Sequence, residues 1–253
     1  MEEYAGAVEA LEWIKTFRSI SLAMAVRKTT EELYRIQEEI ASKAVIEDEL
    51  NLEELNLIAG ADQAFLYESK SENANEIKKE RIISAIVLFG YPSMKFIDYA
   101  YSVLPVDFPY IPGLLSFREA PAIINAFHAL KTKPDLLVID GGGINHPRFA
   151  GLATHVGVSL DVATIGVTKN LLCGTGELPT EEGEACIITY HDREVGFHLK
   201  SETGSNPIIV APGHKVSLKT SLKLIKTCIH KHKLPEPTRI AHLCANKIKR
   251  DLE

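Results

Sequence analysis

The feature that most constrains this chain is the change in its hydrophobic period after Pro105. Before that proline, residues 57–65, 81–89 and 95–104 are three largely apolar runs of strand length, joined by polar or turn-like connections. They are expected to pair as antiparallel hairpins. After it, residues 118–130 carry an apolar helical face, with Pro121 read in the first turn, where a missing N–H costs nothing. Leu136-Leu137-Val138-Ile139 is then a continuous apolar run, the mark of a strand buried on both faces of a parallel sheet. A helix near residues 151–158 and a buried strand at 162–167 follow. Further strands are expected at 185–190, 195–199 and 208–210, and closing helices at 217–232 and 238–249. At the other end of the chain, residues 7–14 have helical apolar spacing. Thr29-Thr30-Glu31-Glu32 offers a capping box for a helix over residues 33–44.

Three antiparallel strands, a helix, a parallel strand, a helix and a further strand are the order of the ribonuclease H-like fold. The expectation is an α/β protein with a mixed sheet flanked by helices. Residues 30–253 are read as a single domain, because no Pro-, Gly- or Ser-rich linker interrupts them, and residues 1–29 as an added helical segment.

That order makes a statement about three acids. Asp62 lies inside an apolar strand, where a lone carboxylate costs several kcal/mol unless it is paired or holds a cation. Asp140 ends the buried run, and α/β sheets bind ligands at the carboxyl ends of parallel strands. Glu119 lies at the start of the intervening helix. With the first and fourth strands adjacent, all three converge on one edge, and oxygen ligands of this kind suit Mg²⁺ or Mn²⁺. Singly, each has a plainer explanation: dipole compensation for Glu119, a cap or turn for Asp140. It is their joint placement that favours a site.

Other residues gather near them. Gly141-Gly142-Gly143 puts side-chain-free backbone beside Asp140, where a base or phosphate could come close; bulk at Gly141 or Gly143 is expected to close such a pocket. His146 and Arg148 follow in the same loop. Lys169 ends the next buried strand, a position suited to a phosphate, and His214 follows Gly213 ahead of the last helices. Taken alone, Lys169 and His214 read more readily as solvated loop residues than as site residues.

Composition sets the outer bounds. The chain is 45% hydrophobic and 25% charged, which suits a packed globular protein. No apolar run approaches the roughly 18 residues of a membrane span. The acidic Met-Glu-Glu start argues against a secretory signal, so a cytoplasmic protein without a membrane partner is expected. Cys173, Cys186, Cys228 and Cys244 are too scattered for a zinc knuckle or a disulfide framework. Net charge is −6, yet residues 205–253 carry 10 Lys and Arg against 3 Asp and Glu. Either that region supplies non-specific affinity for phosphates, or Lys215, Lys219, Lys223 and Lys226 are the wet face of an amphipathic helix.

Two blocks carry a family resemblance. Tyr110-Ile-Pro-Gly-Leu-Leu-Ser-Phe-Arg-Glu119 and Asp140-Gly-Gly-Gly-Ile-Asn-His-Pro-Arg148, followed by Gly151-Leu-Ala-Thr-His-Val-Gly157, resemble the signature blocks of endonuclease V, the deoxyinosine 3′ endonucleases. Gly166-Val-Thr-Lys169, Pro212-Gly-His-Lys215, Gln37-Glu-Glu-Ile-Ala41 and Arg239-Ile-Ala-His242 are similar to its other blocks. The resemblance runs from about residue 30 to the C-terminus. It implies Mg²⁺-dependent cleavage of the second phosphodiester 3′ to inosine in DNA, with Mn²⁺ as a substitute, by a monomer. It implies metal binding by Asp62 and Asp140, help to metal and water from Glu119, and Lys169 and His214 serving the reacting phosphate. Tyr110 is implied as a wedge where the base leaves the stack, with Leu115, Gly141, Gly143 and His146 near the hypoxanthine. Gln63 departs from the aliphatic residue expected after the metal aspartate, and Asn145 and Asn170 stand at variable places. The competing readings are a nuclease that cuts RNA at inosine, since the same acids act on the phosphate of either polymer, a non-catalytic nucleic-acid binder, and a small-molecule hydrolase using the glycine loop for a nucleotide.

Overall fold

In the computed structural model, residues 28–68 and 79–253 are described; the helix expected over residues 7–14 lies outside them. Helix α1 (Thr30–Lys43) opens on the capping box read from the sequence: Thr29 Oγ1 accepts the Glu32 N–H at 3.2 Å, and the Glu32 carboxylate accepts the Thr29 N–H at 2.6 Å.

Strands β1 (Leu57–Glu68), β2 (Lys79–Gly90) and β3 (Lys95–Pro105) form the expected antiparallel meander. On its other side β1 pairs in parallel with β4 (Leu136–Asp140), and β4 with β5 (Ala163–Thr168). Antiparallel β8 (Ile208–His214), β7 (Arg193–Leu199) and β6 (Ala185–Tyr190) complete an eight-stranded mixed sheet of order β3-β2-β1-β4-β5-β8-β7-β6. Helices α2 (Leu115–Ala129) and α3 (Leu152–Leu160) cover one face; α4 (Leu218–Cys228) and α5 (Glu236–Leu252) cover the other.

The two-residue period of a strand explains why the central runs are continuously apolar. Leu137 and Ile139 pack with Ile123 and Val156 on the α2–α3 side, while Leu136 and Val138 pack with Ile225 and Ala241 on the α4–α5 side. The same alternation sends Ala59 and Ala61 toward α2, and Ala64 and Leu66 toward Ala245 of α5.

Two boundaries differ from the sequence reading in ways that matter. Helix α2 begins at Leu115, three residues early, on an N-cap (Leu114) with no side-chain cap bond, so Pro121 lies inside the helix rather than in its first turn. The missing N–H therefore removes a helical bond, a loss set against the burial of Ala120, Ala122, Ile123, Ala126 and Phe127. Strand β8 runs on to His214 instead of ending at Val210. All four cysteines are free thiols, and among the described residues no helix is long and apolar enough to cross a membrane.

Candidate active site

Asp62 and Asp140 are brought together by register. Ala61 lies opposite Ile139 in the parallel β1–β4 pair, so the next residue of each strand is an aspartate. By strand parity with Ala64 and with Val138, both point to the α5 face. Glu119 arrives from α2, in the helix layer on the other side. Asp62 is 6% and Glu119 8% exposed. Burial raises the pKa of Asp62. Asp140 is pushed up to about 6, first by burial and then by the charge of Asp62. Glu119 is pushed up to about 8 by burial, with the charges of Asp62 and Asp140 adding to it. Like charges facing one another in a poorly solvated place resist ionisation.

The cations nearby do little to relieve this. Lys169, exposed one residue beyond β5, lowers both aspartates by its charge. Arg118, beside Glu119 in sequence, lowers it by its charge, but the guanidinium itself pairs with Glu80, donates to the Phe108 carbonyl at 3.0 Å and covers the Phe65 ring. Among the described residues, Asp140 and Glu119 have no hydrogen-bond or ion-pair partner.

One candidate site residue is given no role by the sequence reading. His242 of α5 donates from Nδ1 to Asp62 Oδ2 at 2.6 Å, and its Nε2 stands 3.2 Å from the Asn246 amide nitrogen. Asp62 Oδ1 accepts the Gln63 N–H at 2.7 Å. Asp62 is thus held on both oxygens. The signal for His242 is present but faint: α5 buries Thr238, Ala241 and Ala245, and His242 lies on the same helical face, turned toward β1.

His214 is placed differently from its expected role. β8 runs antiparallel to β5 with Thr164 opposite His214, so its end meets the start of β5, whereas Lys169 lies past the end. There His214 Nδ1 accepts the Val45 N–H at 3.1 Å and Nε2 faces Asp161 at 3.4 Å. It does not join the carboxylates. Helix α4, with Lys219 and Lys223, is tied to that same end. Ser217 donates its N–H to Asp48, and Thr227 bonds Tyr91, which follows the Gly90 that pairs with Leu57.

The loop after Asp140 needs its glycines for a reason other than the one expected. A Cβ at Gly143 would lie 2.2 Å from the Pro212 carbonyl oxygen, and one at Gly141 2.9 Å from Leu152 Cβ. The backbone of β8 and helix α3 fill that space, so bulk there would collide with the fold rather than close a base pocket. Gly142 faces side chains, Leu172 Cδ1 and Asn145 Oδ1, and Asn145 Oδ1 accepts the Gly143 N–H at 2.8 Å. His146 uses both ring nitrogens within the protein: Nδ1 accepts the Arg148 N–H at 3.2 Å and Nε2 donates to the Gly113 carbonyl at 3.1 Å. Burial and the Arg148 charge hold it neutral, with a pKa of about 4. On the rim, Tyr110 is 68% exposed and Leu115 is also exposed.

The donor set suits a hard divalent cation. Two aspartates and a glutamate keep raised pKa values despite the cations nearby, and oxygen ligands match Mg²⁺ or Mn²⁺. Among the described residues no group of three or more His, Cys, Asp and Glu lies close enough together to hold a metal ion by itself. An open site of one or two carboxylates, completed by water and substrate phosphate, is the usual way Mg²⁺ is bound. The residues fit the ion.

The family model for Endonuclease V matches residues 38–243. An endonuclease V from Dictyoglomus turgidum (strain DSM 6724 / Z-1310) is 38% identical over 219 residues, 86% of this chain and 90% of that protein. The crystal structure of endonuclease V from Streptomyces avermitilis superposes with a TM-score of 0.78 at 31% identity, covering 88% of this chain and 94% of that one. Endonuclease V from Ciona intestinalis, solved in complex with a 24mer DNA containing an inosine followed by a ribo-adenosine, superposes with a TM-score of 0.73 at 26% identity, covering 88% and 98%.

Proposed function

We propose that this chain, which belongs to the endonuclease V family, is a Mg²⁺-dependent endonuclease that cuts DNA at the second phosphodiester 3′ to deoxyinosine. The observation that carries the reading is the trio of buried carboxylates drawn from β1, α2 and β4, whose pKa values stay raised despite the charges of Lys169, His242 and Arg118 nearby. The inosine-containing DNA held by the Ciona relative supports the choice of substrate. All three acids come from one chain, which supports action as a monomer.

When bound, a divalent cation supplies Lewis acidity toward the phosphate and a lowered pKa for the attacking water. Asp62 and Asp140 would hold it. The two hydrogen bonds on Asp62, from His242 Nδ1 and the Gln63 N–H, fix which way its oxygens face. Glu119, whose carboxyl is pushed up to about 8, orients the attacking water and, in its ionised form, accepts its proton. Lys169 steadies the charge that builds on the phosphate. His242 is the histidine of this reading, and His214 has no part in it. Tyr110 enters the stack beside the extruded base, while Leu115 and the backbone of residues 141–143 border it.

The test is cleavage of matched inosine-containing DNA and RNA strands, with Mg²⁺ and with EDTA. Cutting of the DNA strand in Mg²⁺ alone supports the proposal. Cutting confined to RNA reassigns the substrate, and cutting in EDTA removes the metal.

A further inference from the structure

The turn that carries Tyr110 is fastened at a single atom. Residues 111–114 form a tight turn closed by the Leu114 N–H donating to the Ile111 carbonyl at 3.0 Å, with Pro112 and Gly113 at its corners. Gly113 has φ of 78°, the left-handed conformation that the second corner of a type II turn requires. Its carbonyl oxygen then receives three donors: Gln37 Nε2 at 2.9 Å, Arg148 Nη2 at 2.8 Å and His146 Nε2 at 3.1 Å. Gln37 uses its other end too, because its Oε1 accepts from Arg148 Nε at 2.5 Å. The Arg148 guanidinium lies 3.8 Å over the ring of Tyr34, one turn before Gln37 on α1.

We infer that Gln37 and Arg148 are positioning residues for base extrusion, holding the 111–114 turn, and so Tyr110, at a fixed height beside the loop that follows Asp140. Helix α1 then belongs to the recognition apparatus as well as to the scaffold. The inference rests on the proposed role of Tyr110 as the wedge.

Direction decides what each interaction can do for the turn. Tyr110 is exposed, so a stacked base pushing on it meets no protein behind the ring. Under the turn lie Leu33, Phe108, Leu114 and Phe117, an apolar cushion that resists compression but not tilt, since burial is non-directional. Hydrogen bonds are directional, and three of them at one carbonyl, from two separate elements, fix the tilt. Gln37 is 0% exposed, a costly place for an amide unless both of its ends are used, and both are.

A double-mutant cycle on the kcat/KM for an inosine duplex tests this. Gln37→Leu keeps volume and removes both bonds. It is expected to lower kcat/KM about tenfold with Tyr110 present and to have little further effect in a Tyr110→Ala background. Equal losses in the two backgrounds would overturn the inference while leaving the wedge intact. A Tyr110→Ala enzyme as fast as wild type would overturn the wedge and the brace together. Gln37→Glu separates the brace from packing. It keeps the acceptor for Arg148 but turns an oxygen on the Gly113 carbonyl, so it is expected to lose as much as Gln37→Leu; wild-type activity would show that the Gly113 bond has no role. Arg148→Lys keeps the charge, loses the fork, and repeats the cycle from the loop side should Gln37→Leu fold poorly.

Discussion

At Asp62, Glu119 and Asp140 the local electrostatics oppose the fold, and this makes the trio measurable without substrate. A carboxyl whose folded pKa is raised contributes stability that is fully present below its unfolded pKa and is lost as pH rises through the folded one. For Asp140 that loss runs from about 4 to about 6, and for Glu119 on to about 8. His146 and His155, both lowered to about 4, work oppositely: their contribution is present above 6.5 and lost as pH falls toward 4. Above pH 6.5 the acids change most: the thiols of Cys173, Cys186, Cys228 and Cys244, raised from 9.0 chiefly by burial, begin to act in the same direction only as pH nears that value. In EDTA, wild type is therefore expected to melt lower at pH 8.5 than at pH 6.5, and Glu119→Gln to lose most of that slope. Asp140→Asn should abolish cleavage yet melt a few degrees above wild type at pH 7.5 in EDTA, at about 2–4 °C per kcal/mol for a chain of this size. A lower melting point for Asp140→Asn would mean that the carboxylate is structural. His242→Ala, which frees one Asp62 oxygen, is expected to cost about 10- to 100-fold in activity, while His214→Ala leaves the rate near wild type. A reversed result for the two histidines in the same assay would restore His214 to the site.

The strand and helix elements decide which of these residues could be read in advance. Asp62 and Asp140 are legible because a carboxylate in, or ending, an apolar run conflicts with its surroundings, and strand order alone makes the two neighbours. The role of His242 is not, because its bond to Asp62 joins residues 180 apart in sequence, and the Arg239-Ile-Ala-His242 block marks the histidine without saying what it touches. The early start of α2 is hidden because Leu114 offers no cap and Pro121 imitates a first-turn proline. The length of β8 is hidden because Pro212 and Gly213 read as a turn, although they continue the strand. That continuation is what presses on Gly143. Gly143→Val is expected to destabilise by more than about 3 kcal/mol, seen as a lower melting point, because the atoms it would strike are backbone that cannot swing away. Gly142→Ala meets only the ends of Leu172 and Asn145, and should melt near wild type. If Gly143→Val melts normally and loses only inosine cleavage, the glycine lines the base pocket after all.

The whole molecule has two ends with different duties. The parallel strands β1, β4 and β5 share a direction, and Asp140 and Lys169 lie at their carboxyl ends, level with Asp62. The opposite end is knitted shut. There Asp135 accepts the N–H groups of Asn56 and Leu57, Asp48 holds the start of α4, and Lys215 pairs with Asp161 and Glu49. The chain is acidic overall, so attraction to a phosphate backbone must come from cations at the catalytic end. The distribution of charge along the sequence points instead to the basic stretch 205–253, but topology puts Lys219 and Lys223 on the knitted end, where no substrate strand engaged with Asp140 needs to pass. Removing one lysine–phosphate pair from a duplex complex flattens the dependence of log affinity on log salt by about 0.9. Lys169→Ala is thus expected to reduce that slope by roughly one unit. The Lys219→Ala, Lys223→Ala double variant should keep the wild-type slope. Titrations of an inosine duplex at several salt concentrations read both directly. A flattened slope for the α4 pair would mean that bound DNA wraps around to the far end of the sheet, and the basic stretch would regain the role its charge suggests.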